Sequence, residues 1–102
     1  MVMATGTSIQ TLIESIPGVY GGRPRLARSG LPIIQLAAEY QSGMRLPEFH
    51  EAYPQIDDES LYAGIAYYLL NRKAIDEELR VRDEEGRADF AAWEARRAAE
   101  SA

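Results

Sequence analysis

Cysteine is absent from the sequence and histidine occurs once. Without cysteine there is no disulfide, no thiolate metal site and no cysteine nucleophile, and the composition suits a reducing compartment. Long apolar runs are missing too, and no stretch approaches the roughly 20 residues that a membrane-spanning helix needs. The opening MVMATGTSIQ lacks the basic start and apolar run of a secretory signal. These absences predict a cytoplasmic protein with no membrane association. The chain of 102 residues has material for one modest core and a tail.

Positive charge is scarce, with 11 basic against 16 acidic residues and a net charge of −5. That balance argues against nucleic-acid binding driven by overall potential. Its distribution is uneven. Residues 1–32 hold three arginines against one glutamate (net +2), residues 33–72 two against six (net −4), and residues 73–102 six against nine (net −3). The three arginines of the first segment, Arg23, Arg25 and Arg28, lie in PGVYGGRPRLARSGLP, residues 17–32.

This glycine- and proline-rich stretch cannot be helical. Pro24 and Pro32 push Arg23 and Leu31 toward extended backbone, and the Gly21-Gly22 pair invites a turn with positive φ. RPRLAR then reads as a short edge-like arm. No phosphate-cradling motif fits, because a P-loop ends in Gly-Lys-Ser/Thr and here GGR meets a proline. On an extended segment Arg23 and Arg25 share a face. They are candidate DNA contacts together with Arg28; equally, they are solvated surface charges paired with acids of a partner subunit. Before the arm, residues 7–16 suit a short helix capped by Thr7 or Ser8, or a strand.

Helical signals dominate the remainder of the chain. Pro32 opens PIIQLAAEYQSG and Gly43 stops it; Pro47 and Pro54 bound a two-turn helix. Asp57 is an N-cap for a third helix, with Asp58 and Glu59 favouring its positive dipole end. Leu61, Ile65, Tyr68 and Leu69 form its core face, and Gly64 predicts a close helix contact. Gly86 is expected to break this long helix. Beyond Arg72, Ile75, Leu79 and Val81 are isolated apolar residues among charges, and Phe90 and Trp93 are three apart in an alanine-rich, helix-prone end. Such a pair either anchors in a groove on another protein or folds back onto the body.

Catalytic constellations are lacking, and the chain is not expected to be an enzyme or to carry a cofactor. His50 has no second His or Cys with which to build a metal site. Asp57 and Asp58 are accounted for by capping. Ser29 and Ser60 have no base at a motif spacing. The short second helix, three-residue turn and longer third helix have helix-turn-helix lengths, although the acidic start of the third helix disfavours its insertion into DNA. Tyr62, Tyr67 and Tyr68 suit core and dimer packing.

Several of these segments together carry a likeness. IPGVYGGRPRLA, then LPIIQLAAEYQSGM, PEF and YPQIDDESLYAGIAYYLLNRKAID, resembles the bacterial domain of unknown function 433 family across residues 16–79. The resemblance implies a homeodomain-like helix-turn-helix with an N-terminal β-arm. It further implies a homodimeric, antitoxin-like regulator of its own operator DNA, whose C-terminal segment neutralises a PIN-like ribonuclease toxin. One run departs from the family pattern. In Ala27-Arg28-Ser29-Gly30-Leu31, glycine and arginine have traded places.

The expected organisation is therefore mainly α. An arm and turn (1–32) precede a three-helix core (33–72), and a helical partner-binding tail (73–102) completes the chain, with Ile75, Leu79, Val81, Phe90 and Trp93 as its contact residues. A protein-interaction module that binds no DNA is the alternative.

Overall fold

The structure is a computed structural model and describes residues 8–101. It is mainly helical, with four α-helices and one two-stranded sheet among the described residues. The chain divides into two compact units, the first ending at Arg72 and the second beginning at Lys73.

The ambiguous start resolves into both of its options. Ser8 accepts the Gln10 N–H and caps a 3-10 turn at Ile9–Leu12, and β1 (Ile13–Glu14) comes directly after it. Thr7, the other candidate cap, lies outside the described residues. β1 pairs antiparallel with β2 (Arg25–Leu26), Ile13 opposite Leu26 and Glu14 opposite Arg25. Gly21 and Gly22 both take positive φ in the turn before the arm.

The arm then doubles back on itself. Leu26 N–H donates to Leu31 O at 2.8 Å, Gly30 N–H to Leu26 O at 2.8 Å, and Arg25 bridges Pro32. Gly30 sits at φ +79°, where a side chain would be strained. The exchanged Arg28 and Gly30 thus belong to one tight return, with glycine at the position that needs left-handed backbone.

α1 (Ile33–Gln41) begins after Pro32 and buries Ile33, Leu36 and Ala37. It ends in a Schellman arrangement, with Met44 N–H on Glu39 O and Gly43 N–H on Tyr40 O. α2 (Leu46–Ala52) is short, as its flanking prolines require, and places Phe49 in the core. The Glu48 carboxylate accepts the Arg45 N–H at 3.0 Å at its start. α3 (Asp58–Leu70) is capped by Asp57, which accepts the Ser60 N–H.

Leu26, Ile33, Leu36, Phe49, Leu61 and Tyr68 are wholly buried and make the core of the first unit. Gly64 belongs to it for want of a side chain: a Cβ there would lie 2.8 Å from Leu36 Cδ1 and 3.0 Å from Leu26 Cδ2. The close helix contact expected at Gly64 is the packing of α3 on α1 and on the arm.

One boundary differs from expectation. The long helix breaks at Asn71, not at Gly86, and α4 (Arg72–Ser101) runs unbroken through Gly86. At Asn71 (φ −117°, ψ 25°) both the backbone N–H and the side-chain amide donate to Tyr67 O, at 3.1 and 2.9 Å. Asparagine here satisfies a terminal carbonyl with its own side chain and ends the helix. Gly86 costs α4 roughly 1 kcal/mol against alanine, too little to break a helix flanked by strong helix formers.

Candidate functional site

Two groups of expected site residues can be traced in the structure, the arginine arm and the tail. Within the arm, Arg25 is tied across the β ladder. Its Nε and Nη2 both reach Glu14 Oε2 at 2.7 Å, and its Nη1 lies over Gly30, 3.5 Å from where a Cβ would stand. Arg28 turns the other way and donates to Asp57 Oδ2 at 2.8 Å, with Glu59 Oε2 at 3.5 Å. Arg23 is extended and exposed between the turn and Pro24. The three arginines do not converge on one patch of free positive charge: Arg25 and Arg28 are each on a carboxylate of their own unit.

Asp57 joins the arm to the helix. It caps α3, its two carboxylate oxygens accept the buried Ser60 hydroxyl at 3.0 Å, and it receives Arg28. Burial opposes its ionisation, but hydrogen bonds led by that of Ser60 outweigh it and hold the carboxyl below the usual range. Beside it, His50 Nε2 lies 3.0 Å from Asp58 Oδ1 at the surface. No group of three or more metal-ligating side chains occurs among the described residues.

The second unit is a single helix. Arg80 bridges Glu77 at 2.6 Å and Glu84 at 2.5 Å along one face, the i,i+3 and i,i+4 pairing that supports a solvated helix. Glu77, first of all, raises the already high Arg80 pKa further, and Arg80 lowers that of Glu77. Of the five apolar tail residues, Ile75 and Leu79 are buried, at 9% and 7% exposure, whereas Val81, Phe90 and Trp93 are exposed. Phe90 and Trp93 stack with centroids 5.7 Å apart, and the Arg97 guanidinium lies 5.2 Å from the Trp93 ring. Phe90 remains 59% and Trp93 45% exposed.

A third surface is not evident from the motifs. Along the outer side of α3, Ile9, Leu12, Ala63 and Ala66 line an open groove of about 610 Å³, with Tyr62 as one wall. It continues into a second hollow bounded by Ile13, Tyr67 and Leu70. The signal for it is LYAGIAYYLL, a ten-residue run with no charge on any helical face, because a surface helix ordinarily has a polar side.

These features define a mainly helical domain with a short β-arm and a long helical tail. The sequence matches the model of the family described as "Protein of unknown function (DUF433)" over residues 3–68, and the chain belongs to that family. It is similar to the crystal structure of a DUF433 member protein from Anabaena variabilis ATCC 29413, at 35% identity and a TM-score of 0.61, covering 71% of each chain. No curated protein matches the sequence. No helix among the described residues is long and apolar enough to cross a membrane.

Proposed function

We propose that this chain is an antitoxin-like interaction protein of the cytoplasm, which captures a partner protein with α4. The observation that carries the reading is the exposed Phe90–Trp93 stack, held with Arg97 on a helix with no buried residue beyond Leu79 among those described. Aromatic residues flanked by arginine are the side chains that dominate binding energy when a helix seats in a groove. Charge supports the same partner class. Residues 76–89 carry seven acids against three arginines, which suits a basic, nucleic-acid-handling surface. A PIN-like ribonuclease is the partner that the family resemblance suggests.

Regulation of operator DNA is the second reading, and α2 with α3 favours it. Helices of seven and thirteen residues across a short turn suit a homeodomain-like helix-turn-helix core. In that reading Arg23 and the arm would meet phosphates, and Arg25 and Arg28 would exchange Glu14 and Asp57 for them. Such an exchange gains less than a free arginine would.

The test is co-purification with a PIN-like protein encoded beside this chain. The F90A/W93A variant is expected to lose capture while its circular dichroism is unchanged; full capture by that variant would overturn the proposal. A gel shift with the chain's own upstream DNA checks the second reading, which predicts a complex at low salt that R23A weakens.

A further inference from the structure

We propose that the groove between the Ile9–Leu12 turn and α3 seats an amphipathic helix of a partner protein, one whose last turn is basic. The groove is built from the first unit alone, and the proposal does not rest on the function read from α4. Glu59, Ala63, Ala66 and Leu70 follow one another at spacings of four, three and four, which lines them up along one side of α3. Leu61, Gly64 and Tyr68 serve the core from its other side.

Shape gives the class of occupant. Ala63 and Ala66 make a low floor, around which Ile9 (65% exposed), Tyr62 (58%) and Leu70 (84%) stand up. Contiguous bare apolar surface of this kind marks an interaction site. From Glu59 to Leu70 the floor advances eleven positions, at ~1.5 Å each about 16 Å, or three helical turns. It is open along this length. Sites for small molecules enclose most of their ligand, whereas an amphipathic helix buries one face and leaves the other in water. Small floor residues also let a second helix approach to the near end of ordinary interaxial distances, ~8 Å. A second copy of α3 would bring the same alanine floor, hollow against hollow. The bulky side chains that fill the groove therefore come from a different helix.

Charge sets the polarity of that helix. At the N-terminal end of α3, Asp57, Asp58 and Glu59 surround Arg28, which reaches Asp57 at 2.8 Å and Glu59 at 3.5 Å. His50 Nε2 lies 3.0 Å from Asp58. Even with His50 counted as a cation, the three acids outnumber the two bases. The side chains of Asp58 and Glu59 are both 61% exposed, so a further cation can reach them. A helix antiparallel to α3 places its C-terminal turn at this end. Lysine or arginine in that turn complements the carboxylates and its own helix dipole, and the two dipoles oppose one another. The occupant is thus a helix of about three turns with bulky apolar residues at i, i+4 and i+7 and a basic last turn.

The test selects a phage-displayed library of randomised helices on the full natural chain, with A66E as the counter-selection. A66E sets a charge on the floor, and because glutamate is a good helix former circular dichroism should be unchanged. Selected helices should show the apolar spacing and the basic last turn, and as synthetic peptides they should bind the natural chain in fluorescence anisotropy. A66E should weaken that binding at least about 30-fold. D58N/E59Q should weaken it about 10-fold at low salt and remove the preference for basic peptides. F90A/W93A should bind as the natural chain does. No enrichment, selected helices without the basic turn, or peptides that bind A66E equally well overturn the proposal. Loss of binding in F90A/W93A overturns it by placing the site on α4. A dimer in sedimentation equilibrium that A66E dissolves does so by making a second copy the occupant.

Discussion

Arg28 Nη1 donates to Asp57 Oδ2 at 2.8 Å, and the same carboxylate caps α3 through Ser60. An arginine that the sequence offers to DNA thus serves to fasten the arm to a helix start. Asp57→Ala should cost about 1–2 kcal/mol through loss of the cap. Removal of the Ser60 hydroxyl's partner adds to this. Arg28→Ala alone should cost under about 1 kcal/mol, because the pair is half exposed. Urea denaturation of the two variants checks both values.

The Asp57 carboxyl is held below its usual range in the folded chain. A depressed acid contributes stability that is complete above its unfolded pKa of about 3.9 and is lost as pH falls through the lower folded value. The stability gap between the natural chain and Asp57→Asn should therefore hold near neutrality and close below about pH 4. Thermal melts of both proteins from pH 7 to 2 measure it.

Tyr53 behaves in the opposite sense. Its hydroxyl donates to Glu39 Oε1 at 2.5 Å. Burial first, and then the Glu39 hydrogen bond and charge, push it up to about 12. A raised pKa gives stability that is full below the unfolded value of about 10 and is lost as pH rises through the folded one. Tyr53→Phe should be less stable by about 1–3 kcal/mol at pH 7, since Glu39 loses a buried partner. That difference should shrink between pH 10 and about 12. A spectrophotometric titration of the tyrosines should show one fewer late-ionising group in the variant.

Gly64→Ala sets two effects against each other. Alanine gains about 1 kcal/mol of helix propensity, but its Cβ would meet Leu36 at 2.8 Å and Leu26 at 3.0 Å. Overpacking of this kind costs about 1–3 kcal/mol. Because both contacts are side-chain ends, we expect a net loss near 1 kcal/mol, rising sharply for Gly64→Val. Chemical denaturation distinguishes the two variants.

In α4 the balance reverses. Nothing lies within 4 Å of a Cβ built on Gly86, so Gly86→Ala should strengthen the helix by about 1 kcal/mol and raise ellipticity at 222 nm. No gain in helicity would mean that α4 is not limited at Gly86.

Much of the local structure is written in residue types that act on their neighbours. Pro32, Pro47 and Pro54 set helix starts and stops, Gly43 ends α1, and Asp57 caps α3. Each of these is a backbone effect felt within one turn. The break at Asn71 escapes such reasoning, because its side-chain amide joins its own backbone N–H on the carbonyl of Tyr67, a local bond that an asparagine can make wherever a helix reaches it. Residue type alone does not say where that happens.

By itself the sequence determined the mainly helical class, the bend of the glycine-rich arm and the helical spacing of Phe90 and Trp93, since periodicity, proline and composition suffice for these; that the two rings are exposed is read from the structure. Only the tertiary structure decided where the arginines go, for Glu14 lies eleven residues from Arg25 and Asp57 twenty-nine from Arg28. It alone also separated the two apolar sides of α3. In sequence they are one uncharged run; in the fold Leu36 and Leu26 press on Gly64 from one side and leave Tyr62, Ala66 and Leu70 open on the other. Charge pairing and burial depend on contacts between distant segments, and a linear pattern does not contain them.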